Sequence, residues 1–281
     1  MILLKKILAV YRIIRPLNFI ITLLSIIVAY VISKKGEDFS LVILLAAFAG
    51  ALAGAAGNVI NDYYDIETDK INKPERVLPS GDLTDKGTLF LYMIMVLLSL
   101  DLALWAGWQS FLVVFISTGV IFFYSYKLKR VPLLGNIVVS IMTGMAFIYG
   151  AIVAGNIAGG IIPAAFAFLI NFIREIVKDI EDMEGDVRAG IRTFPTVSGV
   201  KPAIRIVSIA AIGLIILTIV PFVFEIYKIG YFVLIMLVVN PLLVVIIKLL
   251  FASQSKENIK RISGFLKLAM VLGLVAIYLG V

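Results

Sequence analysis

The sequence contains no cysteine and no histidine, and only 15% of its 281 residues are charged. Without cysteine the chain can form neither disulfides nor thiolate ligands. Without histidine it has no imidazole metal ligand and lacks the commonest general base. Any chemistry must therefore use carboxylates, lysine, arginine, tyrosine, asparagine and backbone groups.

Most of the chain is apolar, with 62% hydrophobic residues and a mean hydropathy of +1.09. The few charges lie between long apolar runs, which is typical of a helical integral membrane protein. With about 20 apolar residues per crossing, the sequence predicts an all-α bundle of about nine transmembrane helices around a central cavity. We expect one membrane domain over residues 1–281. The predicted spans lie near 17–33, 41–62, 87–106, 109–126, 133–154, 158–180, 204–224, 229–250 and 262–280.

The distribution of lysine and arginine predicts the orientation of these spans. If the N-terminus is cytoplasmic, all but three of the 25 basic residues lie on the cytoplasmic side. The exceptions are Lys34, Lys35 and Lys228. This asymmetry predicts a multi-pass protein of the cell membrane with its C-terminus outside. The longest polar connections, near 63–86 and 181–203, would be cytoplasmic loops that cap the cavity.

The charges also indicate which partners to expect. The formal net charge is +7, but because the basic residues flank spans, they suit an anionic lipid surface and anionic substrates better than nucleic acid. Residues 3–15 have the basic, amphipathic pattern of an interfacial helix. We expect contacts with membrane lipids, no nucleic acid, and no obligate protein partner.

Two acidic stretches at the cytoplasmic ends of spans two and six share one spacing. Their members are Asn58, Asp62, Asp65 and Asp69 in the first and Glu175, Asp179, Asp182 and Asp186 in the second. Steps of four, three and four place such side chains on one face of a helix. Carboxylates at the end of a membrane helix are costly and usually mark function.

Carboxylates that converge from two helices repel one another unless cations lie between them. The oxygen-only ligand set favours Mg²⁺ over zinc, and Mg²⁺ completes its shell with waters and phosphates. Two Mg²⁺ ions that bridge a diphosphate would fit a pair of such faces. The six candidate metal ligands are Asp62, Asp65, Asp69, Asp179, Asp182 and Asp186.

Basic residues on the same side are candidate phosphate ligands, because Arg and Lys pair naturally with phosphate oxygens. They are Arg15 (with Asn18 beside it), Lys127, Lys129, Arg130, Arg174 and Lys178. Simpler roles are also compatible with the pattern. Lys129 and Arg130 suit plain membrane anchoring, and Arg174 and Lys178 could pair within their own helix with Glu175 or Asp182.

The two acidic motifs resemble those of a known family. Asn61-Asp62-Tyr-Tyr-Asp65-Ile-Glu-Thr-Asp69 matches the NDxxDxxxD pattern, and Asp182-Met-Glu-Gly-Asp186 the DxxxD pattern, of UbiA-type intramembrane prenyltransferases. The loop 72–81 is similar to the Asn-x-Pro-x-Arg-x-x-Pro-Ser-Gly loop of that family. Tyr124 with Lys127 resembles its tyrosine–lysine region.

This resemblance implies Mg²⁺-dependent transfer of a prenyl group from its diphosphate. The implied groups are Asp62, Asp65, Asp182, Arg174 and Lys178 for catalysis, with Asn58, Asn61, Arg15, Asn18, Lys127 and Tyr124 binding the diphosphate substrate. The chain looks most like archaeal members that add a geranylgeranyl group to the free hydroxyl of geranylgeranylglyceryl phosphate in ether-lipid biosynthesis. For such a phosphate-bearing acceptor we expect further cations, with Lys129, Arg130, Arg188 and Arg192 as candidates.

Three other functions are compatible with parts of the pattern. The acceptor could be aromatic, as in quinone, chlorophyll or haem pathways. A cation-coupled transporter could use matched acids as an ion site, although its acids should lie near the membrane midplane. A CDP-alcohol phosphotransferase would carry a DxxDGxxAR…GxxxDxxxD segment, which this sequence lacks.

Overall fold

The computed structural model describes residues 2–34 and 40–281. Within these ranges the chain is helical, without strands, and nine helices are long and apolar enough to cross a membrane. The predicted all-α, nine-span fold is thereby confirmed, and the protein is a multi-pass membrane protein. The spans are α2 (Pro16–Lys34), α3 (Val42–Tyr64), α5 (Asp85–Ala106), α6 (Trp108–Tyr126), α7 (Leu134–Val153), α8 (Ala158–Arg188), α10 (Val200–Val223), Ile229–Ala252 and α13 (Lys256–Leu279).

The eighth span and the short elements complete the described chain. The eighth span joins α11 (Ile229–Leu234), a π-helical segment (Ile235–Val239) and α12 (Asn240–Ala252). The short helices are α1 (Ile2–Ile14), α4 (Ile66–Asn72) and α9 (Phe194–Ser198), and a 3₁₀ turn spans Leu128–Arg130. Of the three lysines predicted to lie outside, Lys35 falls beyond the described residues.

Most span boundaries agree with the prediction, but α8 is longer. It has 31 residues and continues to Arg188, whereas the sequence predicts an end near 180. The added turns are rich in charged residues, and Arg188 pairs with Glu184 one turn earlier at 2.5 Å, a spacing that supports a helix. The second acidic motif therefore lies entirely on a helix.

The division between the third and fourth spans rests on Gly107. This residue has φ of +124° and lies between the end of α5 and the start of α6. Only glycine adopts such a backbone conformation readily. The predicted break between residues 106 and 109 is thus confirmed.

Helix α3 occupies the interior of the bundle. Its alanines are almost all buried, and it packs against α2, α5 and α6. Helix α7 packs on α2 and α8, and α8 also contacts α10 and α13. At the α2–α7 contact a Cβ on Gly150 would overlap the Ile26 carbonyl, so glycine permits the close approach that is common between membrane helices.

Helix α1 is amphipathic and lies against one end of α3. Ala9 and Ile13 are buried with residues of α3. The opposite side exposes Leu4, Ile7 and Leu8. An exposed apolar face on a helix with Lys5 and Lys6 is the pattern that an interfacial helix requires.

Candidate functional site

Both acidic motifs lie at the same end of the bundle as α1. Helix α3 ends at Tyr64, and Asp65 forms the junction with α4. The backbone N–H of Asp65 donates to the Asn61 carbonyl and that of Asp69 donates to the Asp65 carbonyl. Helical hydrogen bonding thus continues through the junction, and the first motif keeps the helical spacing that the sequence predicts.

The carboxylates of the first motif are paired with cations from three segments. Arg15 donates to Asp62, and its other terminal nitrogen lies 3.2 Å from Asn58 Oδ1. Arg76 Nη1 lies 2.6 Å from Asp69 Oδ2 and 3.4 Å from Asp62 Oδ1. Lys129 pairs with Asp65.

The backbone of Arg15 adopts an uncommon conformation. It lies between α1 and α2 with φ of +57°, a region that non-glycine residues seldom occupy and that carries strain. The side chain of Asn58 donates to the Ile14 carbonyl beside it. These contacts fix the turn so that Arg15 reaches Asp62.

Asp69 and Lys129 are among the members of this network that lie outside the spans and have shifted pKa values. Burial raises the pKa of Asp69, which Arg76 opposes and the charge of Asp65 reinforces. Burial lowers the pKa of Lys129, but the charge and hydrogen bond of Asp65 outweigh it and raise the pKa above the usual value. Lys129 therefore gives up its proton less easily than an ordinary lysine, whereas Asp69 takes up a proton more easily than an ordinary aspartate.

The second motif is bound to the loop that follows the first. Lys73 Nζ lies 2.5 and 2.6 Å from the two carboxylate oxygens of Asp182, and Asn72 donates to the Asp182 backbone carbonyl at 3.0 Å. A Cβ at residue 185 would overlap the Asn72 side chain, so Gly185 permits this approach. The loop after α4 thereby brings the two motifs together.

Two further aspartates of the second acidic stretch, Asp179 and Asp186, have neutral partners. Asn136 of α7 donates to Asp179 Oδ2 at 2.8 Å, and the Thr193 hydroxyl lies 3.4 Å from Asp186 Oδ2. The charges that act on Asp186 include Lys129 and Asp65. The two motifs therefore form one electrostatic network.

Glu175 is buried on α8 between two cations. Lys178 Nζ lies 2.9 and 3.1 Å from its oxygens and Arg174 Nη1 lies 3.1 Å away. The alternative of pairing within the helix is thus correct for Glu175, whereas Asp182 pairs with Lys73 instead. Both cations nevertheless face the central cavity.

The predicted central cavity has a volume of about 320 Å³. Its charged lining residues are Arg15, Lys129, Arg174, Glu175, Lys178 and Lys267. Beside them lie the neutral polar groups Asn18, Asn58, Asn61, Tyr124 and Asn171. The lining then becomes apolar, with side chains such as Phe147, Phe166, Leu274 and Ile277. This distribution of cationic and apolar lining residues suits a molecule with an anionic head and a long apolar tail.

Most of the predicted site residues lie in this network or line the cavity, and Lys127 does neither. Lys127 is exposed, and no ion pair reaches it from the described part of the chain. It ends α6, and the 3₁₀ turn that follows directs Lys129 inward instead. Arg130 and Arg192 line a separate polar pocket of about 280 Å³ beside Tyr64.

Several residues of the site are not among those that the sequence predicts. Lys73 and Arg76 lie in the loop 72–81, whose motif by itself assigns no role to its cations. Asn136 is a buried amide in an otherwise apolar span. Lys267 is a cation within the ninth span, and such residues usually have a function.

The fit of this site to a metal depends on how many carboxylates an ion requires. Among the residues described, no three acidic side chains converge closely enough to hold an ion by themselves. Mg²⁺ usually takes only one or two carboxylates and completes its octahedron with water and phosphate oxygens. The hard-oxygen donors of the two adjacent motifs therefore fit Mg²⁺ together with a diphosphate.

Similarity to known proteins extends over most of the chain. Residues 22–271 match the model of the UbiA prenyltransferase family. The chain belongs to the UbiA prenyltransferase family. Membership confirms the resemblance carried by the two motifs. A digeranylgeranylglyceryl phosphate synthase from Methanosphaera stadtmanae is 33% identical over 269 residues, which cover 96% of this chain and 97% of that protein.

Solved UbiA-family structures share the fold. One solved structure, from work on the biosynthesis of digeranylgeranylglyceryl phosphate synthase in membranes, is 32% identical in sequence to this chain. The two structures superpose with a TM-score of 0.76, and the match covers 98% of each chain. A UbiA homologue from Archaeoglobus fulgidus, solved with DMAPP and Mg²⁺ bound, is 20% identical with a TM-score of 0.63. It covers 95% of this chain and 98% of its own. At that identity the likeness supports the UbiA fold alone.

Proposed function

We propose that this UbiA-family protein transfers a geranylgeranyl group from its diphosphate to the free hydroxyl of geranylgeranylglyceryl phosphate, with Mg²⁺ as cofactor. The observation that carries the proposal is the central cavity, whose lining is cationic beside the two acidic motifs and apolar beyond them. Relatives that cover most of the chain are named digeranylgeranylglyceryl phosphate synthase. A cation-coupled transporter has no need of a cavity lined by several cations at one end.

The residues of the chain have separate tasks in this reaction. Asp62, Asp65, Asp182 and Asp186 would hold Mg²⁺, which neutralises diphosphate charge. Asp69 and Asp179 support this set through their contacts with Arg76 and Asn136. Arg15, Lys129, Arg174 and Lys178 donate to the phosphate oxygens as negative charge develops on the leaving group.

The chemical step exchanges one carbon–oxygen bond for another. The bond between the allylic C1 and the diphosphate breaks, and the bonding electrons leave with the diphosphate. The acceptor hydroxyl attacks C1, and its proton passes to a carboxylate of the site. The apolar lining holds the prenyl tail and excludes water, which would otherwise trap the allylic cation.

We further propose that the protein lies in the cell membrane and that its site opens to the cytoplasm. Support comes from the lysines and arginines, most of which lie on the side of the two motifs. A cytoplasmic site would meet its diphosphate substrate directly.

The test of the proposed reaction is prenyl transfer by purified protein in lipid vesicles. Labelled geranylgeranyl diphosphate is supplied with geranylgeranylglyceryl phosphate or with a hydroxylated aromatic acid, with and without Mg²⁺. We expect an ether product only with the glyceryl acceptor and only with the metal. Transfer to the aromatic acceptor alone would overturn the lipid assignment, because it would place the protein in an aromatic prenylation pathway.

A further inference from the structure

Lys267 is a cation on the cavity wall that the proposed reaction has not used. It lies on α13 within the apolar part of the ninth span and lines the cavity. No carboxylate forms an ion pair with it within the residues described. The charges that act on it are those of Arg174, Arg15 and Glu181. Lys267 is exposed rather than buried, and an ionisable residue within a membrane span usually marks a functional site.

The other cations of the cavity have carboxylate partners. Arg15 pairs with Asp62 and Lys129 with Asp65, while Arg174 and Lys178 share Glu175. Lys267 therefore adds surplus positive charge beside α8. In addition, the Nε of Arg174 is buried without a hydrogen-bond partner. A free ammonium near an unused guanidinium N–H has the donors that a phosphate needs.

The rest of α13 shows what kind of anion would bind here. Lys267, Met270, Leu274 and Ile277 all line the cavity, and their steps of three, four and three place them on one helix face. This face begins with a cation and continues with apolar side chains. It matches an amphiphile whose phosphate lies near Lys267 and whose chain follows the helix.

We propose that Lys267, with the Nε–H of Arg174, binds the phosphate of the acceptor lipid, and that the apolar face of α13 contacts its chain. This assignment rests on the proposed function. In a glyceryl phosphate the reacting hydroxyl is only a few bonds from the phosphate, so both must lie in the cavity that holds the departing diphosphate. Lys267 satisfies this condition, whereas Arg130 and Arg192 line a different pocket and Arg188 pairs with Glu184 on the exposed surface.

The consequence is a division of labour between the two anions. The acidic motifs with Arg15, Lys129, Lys178 and the terminal nitrogens of Arg174 bind the prenyl diphosphate. Lys267 recognises only the acceptor and selects a phosphorylated glyceryl lipid over its dephosphorylated form. It would be a specificity residue for the reaction, acting through direct contact with substrate.

The test compares Lys267→Gln with wild-type protein on two acceptors, geranylgeranylglyceryl phosphate and geranylgeranylglycerol. Loss of a charged hydrogen bond to phosphate should raise KM for the phosphorylated acceptor about tenfold or more. The preference for phosphate should fall by the same factor. KM for geranylgeranyl diphosphate should stay within about twofold, because its ligands are unchanged.

Two further variants control for structural damage. Lys267→Arg keeps the charge and should retain most of the preference for phosphate. Lys260→Gln makes the same chemical change at an exposed position of α13 and should behave like wild type. An unaltered phosphate preference in Lys267→Gln would overturn the assignment, as would a rise in KM for the diphosphate instead. If wild-type protein fails to transfer to either acceptor, the proposed function falls and this assignment falls with it.

Discussion

Each aspartate of the first acidic motif has a cationic partner from outside the motif. Asp62 meets Arg15 from the turn before α2, Asp69 meets Arg76 from the loop after α4, and Asp65 meets Lys129 from the turn after α6. Buried carboxylates require such partners because an unpaired buried charge is strongly destabilising. The motif thus has a structural role in addition to the proposed binding of Mg²⁺.

At the residue scale, the first prediction concerns the two motifs. We expect Asp65→Asn and Asp182→Asn each to lower kcat/KM for prenyl transfer by at least about 100-fold, because each removes a charged ligand from the diphosphate site. Initial rates over a range of Mg²⁺ concentrations provide the measurement. Glu184→Gln is the matched control, since Glu184 lies inside the second motif but pairs only with exposed Arg188. Near wild-type turnover in both aspartate variants would contradict the metal-binding role.

The second prediction concerns stability. Arg76→Ala leaves the buried carboxylates of Asp62 and Asp69 with fewer cations and should destabilise the fold by about 3 kcal/mol. Arg76→Lys should recover part of this loss because it restores a charge without the two-sided guanidinium geometry. Thermal unfolding in detergent measures both variants. Equal melting temperatures for Arg76→Ala and wild type would show that the pairing contributes nothing.

At the element scale, close helix contacts determine the shape of the cavity. Helix α7 reaches α2 through Gly150, and both helices contribute cavity-lining residues. Membrane helices associate mainly through packing of small residues rather than through hydrophobic burial. The width of the cavity therefore depends on a few glycines and alanines.

The third prediction tests this contact with one substitution at two places. Gly150→Ala should lower the melting temperature and the transfer rate, because the added Cβ would overlap the Ile26 carbonyl. Gly213→Ala on α10 meets no atom within 4 Å and should be neutral or slightly stabilising, as alanine favours a helix over glycine. Similar effects of the two substitutions would contradict the packing argument.

The elements also show how far sequence reasoning reaches. Runs of about 20 apolar residues suffice to find the nine spans, because the hydropathy of a span depends only on the residues within it. The acidic motifs could be found because their spacing follows the helical period. Lys129 could not be preferred to Lys127 because a single 3₁₀ turn decides which side chain points inward. The pairings of Lys73 with Asp182 and of Asn136 with Asp179 join distant segments, and no local pattern signals them.

At the scale of the whole molecule, the end that contains the motifs gathers most of the charge. The turn before α2, the loop after α4, the turn after α6 and the end of α8 all meet there. The spans away from this end are mainly apolar, as a membrane-embedded reaction site requires. A substrate with a charged head and an apolar tail can bind in such a molecule in one orientation.

The fourth prediction concerns the proposed orientation of the protein, with the motifs on the cytoplasmic side of the cell membrane. The absence of native cysteine makes this orientation straightforward to test. Lys256→Cys introduces a thiol at the start of α13 on the side of the motifs, and Ile226→Cys introduces one at the opposite end. In intact cells a membrane-impermeant maleimide should label only Ile226→Cys, and permeabilised cells should show labelling of both. The reverse pattern would place the site outside.

We propose that the paired acidic motifs and the adjacent cavity together perform prenyl transfer. The most direct measurement follows diphosphate release and ether formation together in one reaction of purified protein with geranylgeranyl diphosphate, geranylgeranylglyceryl phosphate and Mg²⁺. We predict one diphosphate released for each ether bond formed, with both stopped by removal of the metal. Diphosphate release without ether formation, or neither product in the complete mixture, would contradict the claim.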